Sequence, residues 1–227
     1  MKKSIIFGYN LLEIIMLILG LCSLAVSAIV CNSPWYIWVN TTLALLCVFT
    51  QAKGQIITQF LGIASFFFYI YISYVQKLYG EVIMYGVIML PIYFYGTAHW
   101  LKNRNKKDKS IVIVRKTLPK LEIILMLIGL VIVSFGVYFL LKALNTAQLI
   151  SSTIAFVVTL PGVYLLARRC VWNQAAFLLN DIFVPILWLA FILDGDLTVM
   201  PIFVCHIFQI VYDLYGLFVW FKLEKNQ

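Results

Sequence analysis

The chain has 227 residues, 63% hydrophobic and 11% charged, with a net charge of +8 and a mean hydropathy of +0.99. A soluble domain carries about 25% charged residues, so this composition excludes a water-facing surface around a single core and calls for a bilayer. In a soluble chain the positive balance would point to nucleic acid, whereas in a membrane chain it reads as topology.

Runs such as 14–30 and 123–141 are continuously apolar and lack the period of two that barrel strands show. The fold class is therefore an all-α integral membrane protein. In chain order, eight spans are expected at 11–31, 35–52, 57–75, 82–101, 120–141, 147–167, 173–193 and 199–221, each near the roughly 20 residues that cross a bilayer. The turns are short, as at 31–34, 76–81 and 194–196. The one exception is the polar stretch 102–119, the cytoplasmic loop, of which 102–116 reads as a solvated linker with an attraction for anionic lipid.

With the N-terminus inside, fifteen of the seventeen basic residues fall on the cytoplasmic side, Lys2 and Lys3 among them, and only Lys77 and Lys142 lie outside. The expectation is a multi-pass protein of the cytoplasmic membrane with both termini in the cytoplasm. The first span has features of a signal peptide, because Met1-Lys2-Lys3 precedes an apolar run and Ala25-Val26-Ser27-Ala28 looks like a cleavage site. Its sequence recurs inside the chain, which argues for a structural helix. The five cysteines are odd in number and without metal-ligand spacing, so they read as buried fillers.

The recurrence extends further. Leu12-Glu13-Ile14-Ile15 returns as Leu121-Glu122-Ile123-Ile124, 109 positions on, and the Tyr95-Gly96 to Trp100 ending of span four returns as Tyr215-Gly216 to Trp220, 120 positions on. Lys53 before span three matches Arg168-Arg169 before span seven. Halves offset by four spans keep one orientation, giving a parallel repeat about an axis along the membrane normal, as in several transporter folds.

Polar side chains inside a bilayer mark cavities or partners. Gln174, Phe177 and Asp181 share one face of span seven, and His206, Gln209 and Asp213 share one face of span eight, both at i, i+3 and i+7. The first half offers Gln59, Ser65 and Tyr69 on span three and Tyr93 on span four. These ten are the candidate substrate-binding residues. Rings suit a base, while amides and carboxylates suit a ribose diol. Any one of them can instead tie helices together; in particular, Asp181 can pair with His206. Phe66, Phe67, Phe68 and Trp188 read as packing or lipid-facing rings, and Glu13 and Glu122 as first-turn acids on the helix dipole. Phosphate loops and hydrolase or metalloprotease signatures are absent, so no enzyme activity, cofactor, metal or nucleic-acid partner is expected.

The residues also carry a family resemblance. Ala52-Lys53-Gly54-Gln55, Phe60-Leu61-Gly62-Ile63, Lys77-Leu78-Tyr79-Gly80-Glu81-Val82, Leu90-Pro91 and Gly96 to Trp100, followed by Arg168-Arg169 and Tyr215 to Glu224, resemble the PnuC-type vitamin-precursor transporters. The resemblance implies a core of three helices, a linking helix and three more. Here that is 35–101, 120–141 and 147–221, with 11–31 as an extra N-terminal helix in one transmembrane domain over 1–227. It further implies alternating access without ion coupling, a nucleoside-like substrate such as nicotinamide riboside, trapping by an intracellular kinase, and a trimer. The family's W-x-x-W-x-x-x-N pattern is represented here by Gln174, Phe177 and Asp181, and Tyr93 stands where some relatives show glutamine. Thiamine or a deoxynucleoside is the alternative solute. A non-transporting scaffold or sensor is the alternative class.

Overall fold

The computed structural model describes residues 9–227; Lys2 and Lys3 lie outside the described residues. Among the described residues there are eight long helices: α1 (Leu11–Val30), α2 (Trp35–Gln51), α3 (Ile57–Val75), α4 (Tyr79–Lys102), α5 (Lys120–Ala143), α6 (Leu149–Ala167), α7 (Asn173–Leu193) and α8 (Met200–Lys225). Seven of them, α2 at 17 residues being the exception, are long and apolar enough to cross a membrane. Together they make an all-α, multi-pass membrane protein, and the expected spans agree with the helices to within a few residues.

Local chemistry sets the ends. Asn10 caps α1 in a reciprocal box with Glu13, and Pro34 and Pro119 precede α2 and α5. Asn32, Lys77 and Asn145 turn the chain out of α1, α3 and α5 with positive φ. Within α4, residues Met84–Met89 form a wide π turn directly before Pro91, which has no N–H to offer the preceding turn. Residues eight apart in a regular helix lie about 80° apart around its axis. The wide turn reduces that offset, so Tyr85 and Tyr93 both reach the interior.

Equivalent residues of the two halves make reciprocal contacts. Trp100 Nε1 at the end of α4 donates to the Leu166 carbonyl at the end of α6 (3.0 Å), and Trp220 Nε1 at the end of α8 donates to the Gln51 carbonyl at the end of α2 (2.8 Å). Gly96 lies against Ala167, and Gly216 against Ala52. The two indoles, both fully buried, come within 6.0 Å of each other.

Two findings revise the expectations. Segment 110–115 is not a solvated linker. Ser110 and Val112 bond to Ile56 and Gly54, Arg115 bonds to Arg169 and Val171, and Val112 and Val114 are buried in the cluster that holds both tryptophans. The segment is a strap across the end of the bundle where α2, α4, α6 and α8 finish. Burial in this strap, together with Arg115 and Arg168 nearby, lowers the Arg169 guanidinium to about 10. Glu81, read as a loop residue, instead lies in the first turn of α4, buried, and accepts from the Tyr69 hydroxyl.

Candidate functional site

A cavity lies at the junction of α2, α3, α4, α6, α7 and α8, with about 100 Å³ open to water-sized spheres. The first half supplies rings. Phe66 meets Tyr93 edge-on at 4.6 Å and Tyr85 at 4.9 Å, while Tyr69 lies 4.3 Å from Tyr85 and 5.8 Å from Trp188. Trp188 Nε1 donates to the Tyr69 hydroxyl. These contacts fix a continuous aromatic wall without recourse to solvent. Tyr93 closes down on Gly62, where an added Cβ would sit 2.5 Å from its ring.

The second half supplies the charges. Asp181 Oδ1 accepts from Asn180 Nδ2 at 2.9 Å and meets His206 Nδ1 at 3.0 Å. Asn180 in turn accepts from Thr159 on α6. Asp213 is fully buried on α8, and the Gln174 amide, with its nitrogen turned toward Asp213 Oδ1, donates to it at 3.0 Å. The other carboxylate oxygen of Asp213 has no hydrogen-bond partner among the described residues. Buried polar groups are ordinarily satisfied, so that oxygen, with the Asp181 carboxyl group beside it, is an acceptor of the site without a donor side chain. Hydroxyl and amide groups complete the lining: Asn40, Thr41, Gln51 and Ser65, with Ser65 Oγ donating to Asn40 Oδ1 at 3.0 Å.

Of the ten expected site residues, Ser65, Tyr69, Tyr93, Phe177, Asp181, His206, Gln209 and Asp213 line this cavity. Gln59 and Gln174 do not. They occupy equivalent places at the helix crossings, Gln59 against Gly96 and Gln174 against Gly216, and Gln174 reaches the cavity only through Asp213. Helical periodicity gives a residue's angle about the axis and not its depth, which is why both were grouped with the lining. Sequence reasoning missed Asn40, Thr41, Gln51, Tyr85 and Thr159. Phe66, read as a packing or lipid-facing ring, is packed in the buried core and also lines the cavity. Trp188 is fully buried, not lipid-facing, whereas Phe67 is exposed toward the surroundings. Among the described residues no cluster of histidine, cysteine and carboxylate could hold a metal.

Among the described residues, eight apolar helices, six of them around a polar cavity that lies between two halves in reciprocal contact, define the class: a polytopic membrane protein with an interior cavity. The family model described as "Nicotinamide mononucleotide transporter" matches residues 34–222, and the chain belongs to that family of membrane transporters. It is 26% identical to the "Nicotinamide riboside transporter PnuC" of Neisseria mucosa (strain ATCC 25996 / DSM 4631 / NCTC 10774 / M26) over 229 residues, covering 99% of this chain and 86% of that protein. The solved structure described as "Crystal structure of the Vitamin B3 transporter PnuC" superposes with a TM-score of 0.84 at 24% identity, over 97% of this chain and 95% of that one. That likeness fixes the fold.

Proposed function

We propose that this protein is a facilitative transporter that imports a nucleoside-like vitamin precursor, with nicotinamide riboside as the leading solute. The observation that carries this reading is the cavity itself, in a chain of this family. Rings from α3 and α4 offer a stacking surface for a flat heterocycle, and amides, hydroxyls and carboxylates offer partners for a ribose diol. Among the described residues no lysine or arginine lines the cavity. Phosphate recognition relies on such cations or on helix N-termini, so the lining favours a nucleoside over its phosphorylated form.

Transport then proceeds by alternating access. The three-helix units α2–α4 and α6–α8 rock about the cavity between them, and the closed end formed by the two tryptophans and the strap opens toward the cytoplasm. The distribution of basic residues supports the orientation with both termini inside. No ion coupling is invoked; an intracellular kinase traps the product.

The test is uptake of labelled nicotinamide riboside into proteoliposomes at matched ionic composition. The expected outcome is saturable entry that stops at equal concentrations inside and out. Folded, reconstituted protein that admits no more riboside than empty liposomes would refute the assignment. Thiamine is the second solute to test, because Gln174 and Asp181 alter the motif that the riboside-carrying relatives share.

A further inference from the structure

We infer that Asp181 and Asp213 are the counter-charge for a cationic ring, so that this cavity separates an N-substituted pyridinium from its neutral counterpart of nearly the same shape. The inference rests on the transport reading above and deepens it by naming what the site selects.

The carboxyl and imidazole side chains on the lining are Asp181, Asp213 and His206. Two carboxyl groups thus share the lining with one imidazole, which contacts Asp181. Asp181 is well supported by Asn180 and His206. Asp213 is not: Gln174 serves one oxygen, and the other is buried with no donor side chain against it among the described residues, while Asp181 lies beside it as a second carboxyl group. Two buried carboxyl groups side by side are costly to ionise together, and among the described residues neighbouring lysine or arginine side chains are absent from the lining. A ligand can supply the missing positive charge. The rings on the facing half, Phe66, Tyr69, Tyr85 and Tyr93, present π surfaces that attract a cation in the same place. Carboxylates on one half and aromatic rings on the other therefore ask for the same ligand property, a flat ring with a delocalised positive charge. A neutral ring of the same outline could stack but would leave Asp213 uncompensated.

The opposing account makes the aspartates ties between α7 and α8, indifferent to ligand charge. Equilibrium binding to the purified full chain separates the two. Two matched pairs serve as probes: nicotinamide riboside with its neutral dihydro form, and N-methylnicotinamide, methylated on the ring nitrogen and so a pyridinium cation, with nicotinamide. The expected result is binding at least about tenfold tighter for the cation in each pair. Asp213→Asn and Asp181→Asn should each shrink that ratio while retaining the melting temperature of the unliganded protein. Equal affinities within both pairs would overturn the inference, as would an undiminished ratio in either folded variant. The second pair keeps the two readings apart. A preference for N-methylnicotinamide without riboside binding sustains the charge selection and removes the riboside, whereas equal binding of both ribosides does the reverse. Silence from all four probes overturns both.

Discussion

Gly216 and Gly96 occupy equivalent helix crossings but differ in what surrounds them. A Cβ on Gly216 would sit 2.7 Å from the end of the Gln174 amide and 3.1 Å from the Ala52 backbone, whereas on Gly96 its nearest neighbours are Gln59 Oε1 at 3.2 Å and Ala167 Cα at 3.5 Å. Backbone cannot move aside as a flexible side chain can, and Gln174 is also held by Asp213 and Trp220, while neither amide atom of Gln59 has a hydrogen-bond partner among the described residues. Gly216→Ala is therefore expected to destabilise by about 1–3 kcal/mol, the range for overpacking, and Gly96→Ala by less than about 1 kcal/mol. Unfolding of the two variants in one detergent checks the order, and equal losses would show that the crossings are interchangeable. At this scale the sequence was informative about identity and weak about depth. The repeated Tyr-Gly ending marked both glycines, and the polar stripes marked Asp181, His206 and Asp213. The same stripes could not say that Gln59 and Gln174 stop short of the cavity. Asn40 and Thr41 escaped because α2 carries its polar residues consecutively, without a stripe.

At the scale of elements, α1 and α5 bear the same device. Glu13 pairs with Lys53 at 2.9 Å and accepts from the Tyr215 hydroxyl, while Glu122 takes two bonds from Arg168, at 2.6 and 2.9 Å, and one from Tyr164 at 2.7 Å. Each acid thus fastens its helix to the basic turn that precedes α3 or α7. A helix-dipole role had accounted for both acids from sequence, and the capping box at Asn10 agrees with it for Glu13. The tertiary partners, 40 or more residues distant, leave no local signal. α1 stands to the first half as α5 stands to the second, although α5 is the more peripheral, burying a smaller share of its residues than α1. A forked Arg–carboxylate pair that is mostly shielded from solvent exceeds the usual surface pair. A double-mutant cycle of Glu122→Gln and Arg168→Met should return a coupling of about 1–2 kcal/mol, read from unfolding in micelles. A coupling indistinguishable from zero would reduce the clamp to a surface contact.

Over the whole molecule, the bilayer made the sequence legible. A single hydrocarbon thickness fixes helix length, so eight spans could be placed from composition alone. The strap had no such constraint. The alternating run Ile111-Val112-Ile113-Val114 is its one strand-like signal, and the basic cluster 102–109 before it made the whole segment look solvated. Its position has a mechanical consequence. Gln55 and Ile111 face each other in an antiparallel bridge flanked by the Ile56–Ser110 and Val112–Gly54 bonds, and Arg115 and Cys170 pair on the other side. One short segment is therefore stitched to the turn before α3 and to the turn before α7, one in each half. Rocking of the halves must shear one of those two seams. Facing residues without mutual backbone bonds are the closer kind of antiparallel pair, with Cα atoms about 4.5 Å apart, close enough for a disulfide. With the five native cysteines replaced, Gln55→Cys with Ile111→Cys should oxidise readily, and oxidation should arrest riboside uptake by at least about tenfold. Reductant should restore it, and binding from the opposite face should survive in both states, since no cavity residue is altered. Undiminished uptake by the fully cross-linked protein would mean that the first seam stays closed throughout the cycle. The moving boundary would then lie at Arg115 and Cys170.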